Sequence, residues 1–151
     1  MTSNRIALEA YLHHNIPLSS AMGIRVIEAA VAGVHLRAPL GPNINHQQTA
    51  FGGSIAAIAT SAAWSLVWVR LREAETRANI VIASEHVQFL RPIRSELVAE
   101  TLPANPKDWE RFFQTLVRKG KARVAVNAVV RASDESDPGA TFEGEFVAIL
   151  P

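Results

Sequence analysis

The chain has 151 residues, of which 48% are hydrophobic and 19% are charged, and its formal net charge is +1. This composition is typical of one folded domain and excludes a disordered chain, while the near-neutral charge argues against a nucleic-acid-binding protein. The absence of cysteine excludes disulfides, a thiol nucleophile and cysteine-ligated zinc, and it favours a cytoplasmic location. The N-terminal segment does not have the apolar centre of a signal peptide.

Hydrophobic periodicity and turn residues predict three helices and six strands in one domain over residues 1–151. In chain order these are helix 3–14, strands 24–32 and 34–38, helix 52–73, strands 79–90 and 96–102, helix 106–119, and strands 121–132 and 141–150. The third helix has the clearest end signals, because Asn105 fits the N-cap, Pro106 fits the first helical position and Gly120 fits the stop.

The middle helix contains a run of about twenty residues without formal charge, which is long enough to span a bilayer. The run is built mostly from small residues, occurs once and lies among predicted strands, so we expect a helix enclosed in its own protein core rather than a membrane span. The elements together predict an α+β fold in which an antiparallel sheet of about six strands wraps around one long central helix.

A polar loop over residues 43–50 leads into Gly52 and Gly53 at the start of this helix. Free backbone N–H groups at a helix N-terminus can hold negative charge that develops on an oxygen atom. The alternative is that the two glycines only allow the helix to pack tightly.

Three polar side chains of this loop are candidates for the same site, and each has a structural alternative. Asn45 can hold a water molecule or a carbonyl group, or it can bond to its own turn. His46 can act as a base near neutral pH, or it can simply be solvated. Thr49 can contact a ligand or cap the helix.

Residues in three segments resemble the hotdog-fold thioesterases, in particular the thioesterase domain found behind some bacterial acetyltransferase domains. The residues that carry the resemblance are Asn45, Thr49, Phe51, Gly52 and Gly53 in the loop and helix start, Ile80-Val81-Ile82 in the next strand, and Val87-Gln88-Phe89-Leu90-Arg91-Pro92 at its end. The chain would be a stand-alone form of this domain.

The resemblance implies a sheet wrapped around a helix, in subunits that pair edge to edge as homodimers or dimers of dimers with active sites at the dimer interface. It also implies an acyl thioester substrate carried on coenzyme A or acyl carrier protein. We expect no cofactor and no metal, because the sequence has no metal-ligand spacing such as HExxH and no GxGxxG or Walker motif. The expected reaction is hydrolysis, in which water attacks a carbonyl held by the N–H groups of Gly52 and Gly53. Asn45 and Thr60 are expected to position that water.

One position departs from the family pattern. Many hotdog thioesterases carry an acid about two turns into the central helix, whereas this chain has Thr60 there and reaches its first helix acid only at Glu73. Thr60 and Ser61 can orient water or bond back to their own helix. Glu85 can supply the carboxylate from a partner subunit, or it can be a solvated strand residue. The chain can also lack hydrolytic activity altogether.

The remaining candidates concern the substrate. We expect the acyl chain to lie beside the central helix near Phe51, Ile55 and Trp64, and Arg91 to contact coenzyme A phosphates unless it only protects a strand end. Two other functions stay open: a non-catalytic acyl-binding module, and a hotdog dehydratase or hydratase that would use His46.

Overall fold

Six strands form one antiparallel sheet in the computed structural model, which describes residues 2–151. The strands are β1 (Arg25–Ala30), β2 (Gly33–Ala38), β3 (Asn79–Phe89), β4 (Leu97–Thr101), β5 (Lys121–Ala132) and β6 (Ala140–Ile149). Their order across the sheet is β1-β2-β4-β5-β6-β3, so β1 and β3 form its two edges. The predicted strand count and positions are therefore confirmed.

Four α-helices accompany the sheet: α1 (Thr2–Asn15), α2 (Pro17–Ala21), α3 (Gly52–Glu73) and α4 (Pro106–Lys119). The helix α2 was not predicted, because Pro17, beyond the end of the first helix, is also compatible with a helix that has simply ended. Pro17 instead occupies the first turn of α2, where its missing N–H costs no hydrogen bond. On α4, the Asn105 side chain accepts a hydrogen bond from the Lys107 N–H at 2.9 Å, and Gly120 ends the helix at φ +73°, as predicted.

The central helix α3 contacts all six strands. A flat sheet of six strands is about 24 Å wide and a helix is about 10 Å across, so the sheet must curl around α3 to reach it from both edges. By length and composition α3 could cross a membrane. Its apolar residues instead pack in the core, and the buried ones include Ile55, Ile58, Ala59, Ala62, Ala63 and Leu66. The predicted core helix is confirmed.

The edge strand β1 is covered by α1. The carboxylate of Glu9 accepts a hydrogen bond from the Val26 backbone N–H at 2.8 Å, and the Nε2 atom of His13 bonds to the Ile24 carbonyl at 2.6 Å. These side chains occupy backbone groups that would otherwise be free at this end of the sheet. The edge is therefore closed to a further strand.

The other edge strand, β3, pairs with β6 alone among the strands of residues 2–151. Val81, Ile82 and Phe89 are exposed along it. Ala83 is an extra residue that forms a β-bulge in β3. Ile82 pairs with Phe146 and Ser84 pairs with Glu145, so two steps along β3 correspond to one step along β6. β3 thus leaves an apolar edge uncovered.

Candidate functional site

A groove of about 880 Å³ lies between the exposed face of α3 and strand β3. Its helix wall is made mostly of small residues, among them Gly53, Ala56 and Ala57, and it ends at Trp64. The strand wall is formed by residues 80–85 and is mostly apolar. Such a groove, apolar with a few polar groups, is the usual form of a small-molecule site.

Three backbone N–H groups are free at the start of α3. The N–H groups of Gly52, Gly53 and Ser54 have no acceptor within residues 2–151, and the N-cap residue Phe51 offers no side-chain acceptor. The first bonded donor of the helix is Ile55, whose N–H reaches the Phe51 carbonyl at 3.0 Å. Unpaired donors at the positive end of a helix favour a ligand oxygen that carries negative charge.

The side-chain amide of Asn45 is used within its own loop. Its oxygen accepts from the N–H groups of Gln47 at 2.8 Å and Thr49 at 3.2 Å, while its nitrogen donates to the Thr49 hydroxyl at 2.9 Å and the Ala50 carbonyl at 3.4 Å. This geometry matches the structural alternative, in which Asn45 holds the turn.

Thr49 and His46 lie on opposite sides of this loop. Thr49 is buried and bonded to Asn45, and it is not the helix cap, because the N-cap of α3 is Phe51; that alternative was wrong. His46 is exposed, and it does not line the groove. A direct contact of either side chain with substrate stays a prediction.

Asn43 is a residue that the sequence analysis did not single out. Its side chain is buried, and its amide nitrogen donates to the Met22 carbonyl at 2.9 Å and to the Pro39 carbonyl at 2.8 Å. Its own carbonyl accepts the Phe51 N–H at 2.7 Å. Asn43 therefore ties the helix start to the segment that follows α2. Its place between Pro42 and an apolar residue gave only a turn signal.

Thr60 meets a carboxylate of its own chain. Its hydroxyl oxygen lies 2.7 Å from Oε2 of Glu85 and 2.8 Å from the Ala56 carbonyl. Both residues line the groove. Glu85 is exposed, as the solvated alternative expected, and its carboxylate also accepts a hydrogen bond from Thr60 on α3. The Ser61 hydroxyl bonds back to the Ala57 carbonyl at 2.7 Å, which was the favoured interpretation.

Trp64 is a wall shared by this groove and a second cavity of about 1120 Å³. Its indole N–H donates to the Ile80 carbonyl at 3.3 Å, and its ring stacks on Tyr11 with centroids 5.7 Å apart. Arg72 lines the second cavity. Ile55, in contrast, is buried in the core and does not line the groove.

Phe51 and Arg91 lie outside the deep part of the groove. The Phe51 ring is exposed and covers Gly53 so closely that a Cβ atom at that glycine would collide with it. Arg91 is half exposed, lies 3.6 Å from the carboxylate of Asp137 and does not line the groove. Phe89 approaches Gly52, so the end of β3 and the start of α3 are neighbours.

Comparison with known proteins gives a family and a set of similar folds. Residues 5–150 match the profile of the family described as "Putative thioesterase (yiiD_Cterm)". A Chlorobaculum tepidum protein of unknown function is 27% identical, with a TM-score of 0.90 over 97% of this chain and 94% of that chain. The "putative thioesterase from Shewanella oneidensis" is 27% identical over the whole of both chains, with a TM-score of 0.86. A mutant thioesterase from Pseudomonas aeruginosa, 12% identical, shares the fold with a TM-score of 0.72 over 96% and 93% of the two chains.

Proposed function

The chain belongs to the "Putative thioesterase (yiiD_Cterm)" family and has the hotdog fold, and we propose that it hydrolyses acyl thioesters in the groove between α3 and β3. One observation carries this proposal. Free N–H groups at the start of an apolar helix adjoin a groove that also contains the Thr60–Glu85 pair. An acyl thioester needs this combination of an apolar site and donors for its carbonyl oxygen.

In the proposed reaction the thioester carbonyl oxygen accepts hydrogen bonds from the N–H groups of Gly52 and Gly53. Water attacks the carbonyl carbon, and the negative charge that develops on the oxygen is held by these donors. Collapse of the tetrahedral intermediate breaks the carbon–sulfur bond, which releases a thiol and a carboxylic acid. The acyl chain lies against Ala56, Ala57 and Trp64.

We assign the carrier as coenzyme A or acyl carrier protein, because both present an acyl group on a phosphate-containing arm. Arg91 is the proposed phosphate contact. Its present ion pair with Asp137 is long, at 3.6 Å, and both partners are largely exposed. Such pairs contribute little to stability, so a phosphate oxygen can replace the Asp137 carboxylate at low cost.

We also propose that two copies of the chain associate through β3. Exposed apolar side chains on an unpaired strand, here Val81 and Ile82, favour association with another strand. The opposite edge is already covered by α1. The resulting homodimer is the unit from which a dimer of dimers can form.

The test is thiol release from a panel of short, medium, long and aryl acyl-coenzyme A esters. The chain contains no cysteine, so a thiol-reactive dye detects the product without background. The diagnostic variant is Gly52→Pro, which removes one N–H at the first helical position, where proline is well tolerated. Phe51 already has the extended backbone, φ −65° and ψ 134°, that a following proline prefers.

Gly52→Ala is the matched control, because it keeps the N–H and adds a first side-chain carbon in ordinary contact, 3.5 Å from the Phe89 ring. We expect Gly52→Pro to lower kcat about 100- to 1000-fold relative to Gly52→Ala, the usual effect of losing one donor to the developing oxyanion. Equal turnover by the two variants would remove the Gly52 N–H from the mechanism.

A non-catalytic acyl-binding module is the second candidate, and two observations favour it. The acid expected two turns into α3 is Thr60, and the Asn45 amide has no free hydrogen-bonding group. Absence of thiol release from every ester, together with binding of a non-hydrolysable acyl-coenzyme A analogue, would establish this function instead. The dehydratase alternative is weaker, because His46 does not line the groove.

A further inference from the structure

We propose that Glu85 is the general base of this site, carried on strand β3 instead of the central helix, and that Thr60 is its positioning residue. The inference rests on the proposed hydrolytic function. It identifies the group that activates water in a chain whose central helix has no acid between Gly52 and Arg72.

The placement of Glu85 follows from how β3 runs beside α3. Phe89 approaches Gly52 at the start of the helix, and the Ile80 carbonyl meets Trp64 farther along it. Glu85 falls between these two contacts and reaches Thr60, which is eight residues after Gly52. The strand thereby delivers a carboxylate to the helix position where an acid was expected.

The contacts of the Thr60 hydroxyl allow it to stay bonded to Glu85 while Glu85 gains and loses a proton. A hydroxyl has one hydrogen, yet both the Glu85 carboxylate and the Ala56 carbonyl lie within 2.8 Å of this oxygen. When Glu85 is ionised, Thr60 donates to it. When Glu85 is protonated, it donates to Thr60, whose own hydrogen turns to the Ala56 carbonyl. Thr60 thus forms a hydrogen bond with Glu85 in both protonation states.

The proposed step is balanced as follows. Glu85 takes one proton from the attacking water while the oxygen–carbon bond forms and the N–H groups of Gly52 and Gly53 hold the oxyanion. When the carbon–sulfur bond breaks, the electron pair goes to sulfur and the same proton passes from Glu85 to the thiolate. The products are the acid and the thiol, and Glu85 is again ionised.

Within one copy the start of α3 and the Thr60–Glu85 pair are too far apart for one compact site, so we place the groups of each site on two associated copies. Gly52 and Thr60 are separated by about 12 Å along the axis of α3, at about 1.5 Å per residue. In a working site the N–H donor contacts the carbonyl oxygen, the water contacts the carbonyl carbon and the base contacts the water, each at about 3 Å. Because these contacts do not lie on one line, the distance from donor to base is shorter than about 12 Å. This arrangement requires that association through β3 bring the Glu85 of one copy near the helix start of the other.

The first test compares Glu85→Gln with wild type on the best ester found. The amide keeps the size of the side chain and an acceptor for Thr60, but it cannot take the proton. We expect kcat to fall about 100- to 10,000-fold with KM nearly unchanged. His86→Asn, at the next position of the strand, is the control and should retain wild-type kcat. Wild-type turnover by Glu85→Gln would overturn this inference and leave the proposed function intact, whereas an inactive wild type would overturn both.

Thr60 is tested separately, because it acts through Glu85. Thr60→Val keeps the shape but removes the hydroxyl, and we expect kcat to fall about tenfold with little change in KM, as for the loss of one hydrogen bond. Thr60→Ser restores the hydroxyl and should recover most of that loss. A change in KM alone for Thr60→Val would show that Thr60 only contacts the substrate.

Subunit mixing tests whether the base acts across the interface. Gly52→Pro and Glu85→Gln subunits, each inactive alone, are unfolded together and refolded. If the base comes from the other copy, random pairing makes half of the dimers mixed and each mixed dimer has one intact site, so about a quarter of wild-type activity returns. If the base acts within its own copy, every site keeps one defect. Failure to recover activity in a mixture verified to contain mixed dimers would overturn the two-copy site.

Discussion

The two edges of the sheet differ in how their backbone groups are used. At β1, side chains of α1 bond to the Val26 N–H and the Ile24 carbonyl, and the exposed Arg25 side chain pairs with Glu96 at 2.6 Å. At β3 no helix covers the outer edge within the described part of the chain, and large apolar side chains are exposed. The β1 edge is therefore covered, whereas the β3 edge can still pair with another strand.

This difference indicates that exposure on β3 is not an accident of composition. At β1 a helix and two half-buried side chains, Glu9 and His13, cover the edge. An open edge such as β3 carries a risk of aggregation, which the proposed association of two copies would remove. The groove, the free N–H groups and Glu85 all lie on this side of the molecule.

The strongest test of the comparison places the same charge on each edge. Ile82 on β3 and Ile27 on β1 are both 39% exposed. We expect Ile82→Lys to prevent dimer formation and to lower kcat at least 100-fold, because each site would lose the groups supplied by its partner. Sedimentation velocity and the thiol-release assay would measure both effects.

Ile27→Lys is the matched control and should leave assembly and turnover as in wild type. A dimer that survives Ile82→Lys but dissociates with Ile27→Lys would reverse the assignment of the two edges. A wild-type protein that is monomeric and fully active would contradict the proposed association through β3.

A smaller effect is expected from the loop beside the end of β3. Asn45→Ala removes the side-chain hydrogen bonds that shape the loop before Gly52, and we expect kcat to fall about 10- to 100-fold, since a displacement of about 1 Å at a reacting group can have that cost. Steady-state kinetics would show the loss in kcat with little change in KM. Gln47→Ala, an exposed position in the same loop, should remain near wild type. Unchanged kcat in Asn45→Ala would exclude a role for this loop in turnover.

The closed edge should show the opposite pattern, with an effect on stability alone. Glu9→Ala leaves the Val26 N–H without its acceptor, and we expect the free energy of unfolding to fall by about 1–2 kcal/mol. Urea denaturation would measure this change, and kcat should stay the same. Glu9→Gln keeps an acceptor at the same distance, so its stability should lie between those of Glu9→Ala and wild type.

The smallest expected effect is a pH dependence on the β1 side. Burial lowers the pKa of His35 on β2 from its usual 6.5, an effect that Arg37 and Arg131 reinforce and that Glu100 and Glu28 oppose. The unfolded chain then binds the proton more readily, so the contribution of the neutral ring to stability is complete above pH 6.5 and is lost as the pH falls through the lowered pKa.

Urea midpoints measured at about pH 7.5 and about pH 5.5 would reveal this loss. The difference between the two midpoints should be smaller in His35→Asn than in wild type. An equal difference in both proteins would assign the pH dependence to other groups.

The sequence predicted the parts of the fold that local signals determine. The bounds of α3 follow from a glycine pair at one end and arginines at the other, and the ends of α4 follow from Asn105 and Gly120. The helix α2 was missed because a proline after a helix and a proline that begins one look alike in sequence. The structure distinguishes them, because Ile16 is the non-helical N-cap of α2 and Pro17 lies in the first turn.

The site was harder to predict, because its groups meet across the fold. The free N–H groups at Gly52 and Gly53 were expected from the helix start alone. The contact between Thr60 and Glu85 joins residues 25 positions apart, and it depends on the strand order and on the bulge at Ala83. Neither of these is visible in the periodicity of β3.

Under the proposed function, Trp64 has a consequence for the length of the acyl chain that fits beside α3. The same indole forms a wall of both cavities, and its one polar anchor is a 3.3 Å hydrogen bond to the Ile80 carbonyl. The ring therefore lies between the two cavities, where it can limit the length of a bound chain. With the indole in place, we expect the first compartment to limit the length of a bound acyl chain, whereas Trp64→Ala should merge the two compartments into one channel that leads to Arg72.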